Sequence, residues 1–554
     1  MKSNRRKFLK NSIFTIGGGI LGAQLPPVTE LMKIMIKQFL NKASGIENTS
    51  KVNYLAFYLN GAPARWCFDQ FLKTEANQSL VSNESVATNL TGESGSYSRP
   101  EYQTIDFMGL PVPMLWNSTI LTANGGGRPM LDLLPHLINI RGYGSGVDGH
   151  QSNSSKQSNP VPSAGSICGH VADQSSLLFR ALQFPSLGSW SSYNSIRSTG
   201  LTLLFDQGKN NYLKALLSPF TLQDSTNEIN QINRNYKLYI EEVHKQIRFV
   251  ASKKYSGLDP LSLDFENSVK TLSNGIEDLE LSWNKLYSKY EYLILKNIKD
   301  RNVAGFSDRP IQASTNNYFK TTVNGKDLFP SLGSDLRDWL ANVDCNNLIS
   351  SFALAEFVIT RGYGGAIEFG FLNPKNLQGY FGINGDLSTF DFIFDQHTTG
   401  VVPSTYINGM FFKAFSAGLL ELIDQLKKAS LFDKTFIHLV QEFGRSPMQD
   451  GSGSDHAFDG MISSVFTGIN NSKPIVVGNI SKSSNIFLPI YSGTFGAKES
   501  TIVDGESLFL TPAHVASTIA HLMQLPINPW ANVAKPLIIR SNNSISPIAS
   551  AEII

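Results

Sequence analysis

Three short stretches of this chain put metal-ligating or proton-moving side chains close together: Asp395-Gln396-His397, Glu442-Phe443-Gly444-Arg445 and Asp455-His456. Carboxylates from separate stretches, joined by two histidines, make the oxygen-and-nitrogen donor set that zinc or manganese accepts. Taken singly, each has a plainer reading. Asp395 and His397 can be a hydrogen-bonded loop pair, and Glu442 and Arg445 an ion pair capping a turn.

The elements around them bear on that choice. Phe392-Ile393-Phe394 reads as a short strand with Asp395 just after it, and Thr435 to Val440 as a buried strand with Glu442 just after it. Asp455 and His456 fall in a Gly/Ser-rich loop (MQDGSGSDHAFDG), where backbone freedom can carry side chains back over a sheet edge. Further strands are expected at 51–59, 137–140, 366–370, 462–466 and 474–477. Helices are expected at 348–360, along Phe412, Phe415, Leu419, Ile423 and Leu426, and from Thr511-Pro512, with Thr as N-cap and Pro at the first turn. Strands alternating with helices imply an α/β sandwich around a mainly parallel sheet, whose chemistry sits at the carboxyl ends of the strands.

Composition narrows the function. At 554 residues the chain exceeds a single ordinary core, so two domains or one domain with insertions are expected. Lys+Arg 47 against Asp+Glu 45 leaves +2, with no basic stripe beyond the first ten residues, which argues against a nucleic-acid partner. Cys67, Cys168 and Cys345 are too scattered for a sulfur-ligand cluster. A polar insertion spans 75–105. An a/d seam through Phe265, Val269, Leu272, Ile276, Leu279, Trp283, Leu286, Tyr290 and Leu293 predicts a helical hairpin over 225–305, inserted between two parts of the α/β domain, 51–224 and 306–554. The N-terminus, Arg5-Arg6-Lys7-Phe8-Leu9-Lys10 before a Gly-rich apolar segment ending at Pro26-Pro27, resembles a twin-arginine export signal over 1–27, with a linker or amphipathic helix at 28–50. Its implied partner is the twin-arginine export machinery, and its implied destination the periplasm or exterior. No clean A-x-A precedes Ala23, so cleavage and an uncleaved membrane anchor both stay open.

The order of the motifs carries a resemblance. A D-x-H, then a strand ending in E-F-G-R-S-P, then a glycine-rich loop with D-H is similar to a widespread bacterial family of exported proteins of unknown function related to sulfatases and alkaline phosphatases. It covers roughly 51–65 and 345–525, with Glu442 to His456 the most specific part. The resemblance implies an alkaline phosphatase/sulfatase-like three-layer sandwich. It also implies one or two divalent ions, zinc, manganese or calcium, held by Asp395, His397, Glu442, Asp455 and His456, with Arg445 clamping an oxygen of a phosphate or sulfate ester. Where that superfamily places a metal-binding Asp after the first strand, this chain has Asn60, which ligates only through a carbonyl oxygen, and Asp69 lies nine residues on. The stretch from Gly149 to Ser154, with His150, is the best region for a nucleophile or a further catalytic histidine. Three functions remain open: a metal-dependent ester hydrolase, a non-catalytic envelope protein with a degenerate metal site, and a secretion or assembly partner suggested by the export address and the apolar seam at 265–293.

Overall fold

Asn53–Tyr58 (β1) is buried at every position, as expected of a strand covered on both faces. The computed structural model describes residues 52–72, 102–175, 177, 179–204, 281–300, 302–305, 320–328, 340–381, 386–483, 489–491, 495–542 and 544–551. It divides into two units, and the larger, Thr49–Lys209 with Leu286–Ile554, carries the fold. The export-signal motif, the linker, nearly all of the polar insertion and the seam upstream of Trp283 lie outside the described residues. No helix among the described residues is long and apolar enough to cross a membrane.

The eight-stranded sheet also contains Leu137–Tyr143 (β2), Ala181–Phe184 (β3), Leu201–Leu203 (β4), Ala366–Phe369 (β5), Thr435–Val440 (β6), Met461–Thr467 (β9) and Ile475–Val477 (β10). Gly444–Pro447 (β7) and Ser454–Ala457 (β8) form a separate hairpin. The sheet order is β10-β2-β9-β6-β1-β5-β3-β4. Every neighbouring pair is parallel except those made by β9, which runs against both β2 and β6.

Alternation along β1 divides the core. Tyr54, Ala56 and Tyr58 join a cluster with Ile167, Cys168 and Val171 of helix Ile167–Gln174 (α2) and with Val515, Ala516 and Ile519 of helix Pro512–Leu522 (α5). Phe57 points the other way, its ring 5.1 Å from Phe352 of helix Asn346–Thr360 (α3) and 5.4 Å from Phe415 of helix Val401–Lys428 (α4). Helices on both faces make a three-layer α/β architecture with a mostly parallel sheet. The expected start of α5 is present: Thr511 caps the helix in a reciprocal box with His514, and Pro512 stands in the first turn. Of the expected seam, 281–298 is helical. From Tyr287 onward its buried residues include Tyr290, Leu293 and Ile298, and Tyr290 stacks on Phe352.

Two local expectations are corrected, and one helix is found where none was expected. Residues 392–394 are not a strand; Phe392 and Phe394 are buried and Ile393 is exposed, but Phe394 packs on Phe411 of α4 and no ladder forms. Period-two burial here arises from draping over a helix, not from strand pairing. Asp455 and His456 lie on β8, paired with β7 in the register Arg445↔His456 and Ser446↔Asp455, rather than in a loop. The region of His150, for which the sequence signals no element, forms a helix, His150–Ser158 (α1), despite a composition (HQSNSSKQS) with little helix propensity. Side-chain bonds to other segments supply what propensity lacks. Asn153 donates to the Val147 carbonyl at 2.6 Å, Gln157 accepts from Tyr143 at 3.0 Å, and Ser154 donates to the Trp190 carbonyl. Cys67, Cys168 and Cys345 are buried and unpaired.

Candidate metal centre

The carboxyl ends of β1, β2 and β6 and the β7–β8 hairpin meet at one edge of the sheet. β2 leads through a short loop to His150, the first residue of α1. The segment after Phe394 supplies Asp395 and His397, and β8 supplies His456. Each of these four residues offers one ligand atom, and the atoms lie within 4.8 Å of one another.

The imidazoles are oriented alike. His150 sets Nε2 3.2 Å from Asp395 Oδ2, with Nδ1 3.0 Å from Glu442 Oε1. His456 sets Nε2 3.7 Å from Asp395 Oδ1, with Nδ1 2.7 Å from Asp148 Oδ1. His397 sets Nε2 3.1 Å from Asp395 Oδ1 and 3.0 Å from His456 Nε2, with Nδ1 3.5 Å from Asp455 Oδ1. All three Nε2 atoms therefore converge on Asp395, and a carboxylate stands behind every Nδ1. That is the outer arrangement that fixes tautomer and ring direction in histidine metal sites. At zinc bond lengths of about 2.0–2.1 Å, tetrahedral ligands sit about 3.3 Å apart. The contacts to Asp395 and between His397 and His456, 3.0–3.7 Å, are of this size, within a set of ligand atoms spanning up to 4.8 Å.

Burial would raise the carboxyl of Asp395, yet hydrogen bonds from the three histidines and the charge of Arg445 hold it well below the usual carboxylate range. Burial would likewise depress His150, but its bonds to Asp395 and Glu442 and their charges push it up to about 9. Without an ion, a proton on His150 supplies part of the positive charge this edge demands.

The expected ligands sort into two groups. Asp395, His397 and His456 are in the cluster, and His150, expected near the metals as a catalytic residue, completes it. Glu442 is not among the four: Oε1 accepts from Gly61 N at 2.5 Å and from His150. Asp455 also stands behind the cluster, accepting from the His456 amide at 2.8 Å. Asn60 is turned away, its Oδ1 accepting from Phe371 N at 2.7 Å. Asp69 is buried in a pair with Arg65 and reached by Ser464 at 2.7 Å. The expected oxygen clamp is corrected too. The Arg445 side chain is 0% exposed, and it donates to the carbonyls of Gly61 (2.5 Å), Ala62 (2.9 Å) and Phe394 (3.3 Å) and to Asp395 (2.5 Å). Burial lowers its pKa, a penalty that Asp395 opposes. It holds the ligand and does not face solvent.

Two contributors carried no signal in the sequence. Asp148 is an ordinary acidic loop residue until the fold sets it against His456. Phe443 lies inside a quoted motif, yet its ring proves to be a plate, stacked 3.9 Å from His456 and 4.9 Å from His150. Gly61 is required by close approach: φ is +93°, and a Cβ there would meet Asp395 N at 2.9 Å. The site stays open on one side, with the His397 side chain 41% exposed.

Fold and site together define a class: a three-layer α/β protein with a three-histidine, one-aspartate candidate metal centre at the carboxyl edge of its sheet. Among known proteins, no family model, no curated protein and no solved structure matches the chain.

Proposed function

We propose that the chain is an exported metal-dependent hydrolase that cleaves a phosphate or sulfate ester. The observation that carries the reading is the convergence of three Nε2 atoms on Asp395 with a carboxylate behind each ring, at a solvent-open sheet edge. Four ligand atoms in one cluster favour a single ion, and three nitrogens with one oxygen favour zinc or manganese over calcium. When bound, the ion supplies a Lewis acid that polarises an ester oxygen and lowers the pKa of water. The residues do the rest: Glu442, Asp148 and Asp455 aim the imidazoles, Arg445 fixes Asp395, and the exposed flank of His397 leaves an approach for substrate. In the net reaction, water adds its oxygen to phosphorus or sulfur, the bond to the alcohol oxygen breaks, and the alcohol leaves with a proton. The ester class and the export rest on the motif order and on the Arg5-Arg6 address.

The test is elemental analysis of chelator-free protein, beside Asp395→Ala and His456→Ala, with an ester screen of the wild type. About one equivalent of metal, lost in both variants, with turnover of an aryl ester, is the expected outcome. Wild-type protein without metal would sink the reading. A second reading, a metal-carrying envelope protein without turnover, is favoured by Asn60 and Arg445, which are engaged inside the protein by Phe371 N and by Asp395. Metal bound with no ester cleaved would select it.

A further inference from the structure

Charge around the centre narrows the substrate. Asp395, Glu442, Asp455 and Asp148 bring four carboxylates to the three imidazoles. The guanidinium of Arg445 is the one cation touching this set among the described residues. Its side chain is fully buried: Nε and Nη2 donate to three backbone carbonyls and Asp395, while Nη1 is buried without a hydrogen-bond partner among the described residues. Among the described residues, two lysines near this edge have partners of their own: Lys156 donates to the Ser145 carbonyl at 3.0 Å, and Lys498 pairs with Asp459 at 3.0 Å. With neutral imidazoles, four carboxylates against one guanidinium leave three negative charges, and a divalent ion leaves one.

Recognition of a doubly charged phosphate calls for the opposite arrangement, a free guanidinium or ammonium forked onto the equatorial oxygens. Resting on the hydrolase reading above, we infer that the site takes singly charged esters, sulfate monoesters or phosphate diesters, in preference to doubly charged phosphate monoesters. Selection arises from repulsion of the second charge by the carboxylates that aim the histidines. Asp148 is the most accessible of these, its side chain 64% exposed, so it faces an arriving anion through solvent. One unit charge at this range changes affinity for an anion by roughly fivefold. The half-buried Trp190, its ring 5.8 Å from that of His150, offers an apolar flank for the alcohol part, which makes aryl probes suitable.

Full-length protein loaded with cobalt gives a readout independent of turnover. Its visible spectrum would be titrated at pH 8 with phenyl sulfate, a monoanion, and with phenyl phosphate, a dianion above its second pKa of about 6. Wild type and Asp148→Asn would be compared, the amide still accepting from His456 Nδ1. The expected result is a response to phenyl sulfate at a tenfold lower concentration. With cobalt held at saturating concentration for both proteins, that preference should narrow by roughly fivefold in Asp148→Asn. Tighter binding of phenyl phosphate by wild type, or a ratio unmoved by the substitution, overturns the inference. The same order without cleavage of any ester leaves it standing and removes the hydrolase reading. Cleavage with phenyl phosphate preferred does the reverse, and failure to retain cobalt overturns both.

Discussion

At the scale of single residues, the centre is a set of aimed imidazoles, and aim can be altered without removing a ligand. Glu442 accepts from His150 Nδ1 and from the Gly61 amide through one oxygen. Glu442→Gln keeps an acceptor there but loses the negative charge that makes the ring a better ligand. Metal affinity should drop about 10- to 100-fold, with the fold retained. Competition with a chromophoric chelator checks this, and an unchanged affinity would return Glu442 to a turn-capping role. Arg445→Met is a harsher change, because it strands the Gly61, Ala62 and Phe394 carbonyls and leaves Asp395 without its charged partner. Breaking a buried pair from one side costs about 3–5 kcal/mol, which urea denaturation of the metal-free protein would register.

At the scale of elements, precision comes from segments packed too closely to shift. Gly453, just before β8, approaches the chain that carries His397, and a Cβ there would lie 1.9 Å from the His397 carbonyl. Gly453→Ala should therefore push the 395–397 segment off the hairpin and lower metal occupancy, while near-ultraviolet circular dichroism of the core stays close to wild type. Full occupancy in that variant would show the contact to be slack. This scale also shows what the sequence could and could not disclose. β1 and β6 were legible because continuous apolar runs report burial on both faces, and α5 because Thr511-Pro512 is a start signal with a local cause. Asp395, His397 and His456 could be picked out by type and spacing. Their division from Glu442 and Asp455 could not, because ligand and supporting carboxylate differ only in which nitrogen of the ring they meet. α1 was illegible for a related reason: a helix of Ser, Asn and Gln is held by partners outside it, and no local pattern records them.

For the molecule as a whole, acid should be a stronger stress than the near-neutral net charge suggests. His438 on β6 is buried between the Tyr54 hydroxyl, 2.8 Å away, and Ser463, and burial together with Arg65 pushes its pKa down to about 3. The unfolded chain takes up that proton near pH 6.5, the folded one only near 3. Stability from this group is thus complete above pH 6.5 and is lost as pH falls toward 3, at up to about 1.4 kcal/mol per pH unit. Denaturation between pH 7 and 4.5 should show the loss, and His438→Gln should flatten it; an equal slope in the variant would place the acid sensitivity elsewhere. The ion works in the other direction. Its ligands come from three distant stretches, so metal at 100 times its Kd should stabilise the fold by about 2.7 kcal/mol, seen as a rise in Tm that a chelator reverses.

The place of β1 has a consequence in time. It is among the first strands made, yet it lies near the middle of the sheet, pairing with β5 at 366–369 and β6 at 435–440. Its lateral partners are therefore translated more than 300 residues later, and the corner from Tyr58 to Gly61 must wait for Glu442 before the Gly61 amide is satisfied. Such long-range parallel pairing is slow to form. A nascent chain stopped before residue 366 holds β1 without either lateral partner, a sticky apolar ribbon, and should be bound by chaperones and cut by protease where the full-length chain resists.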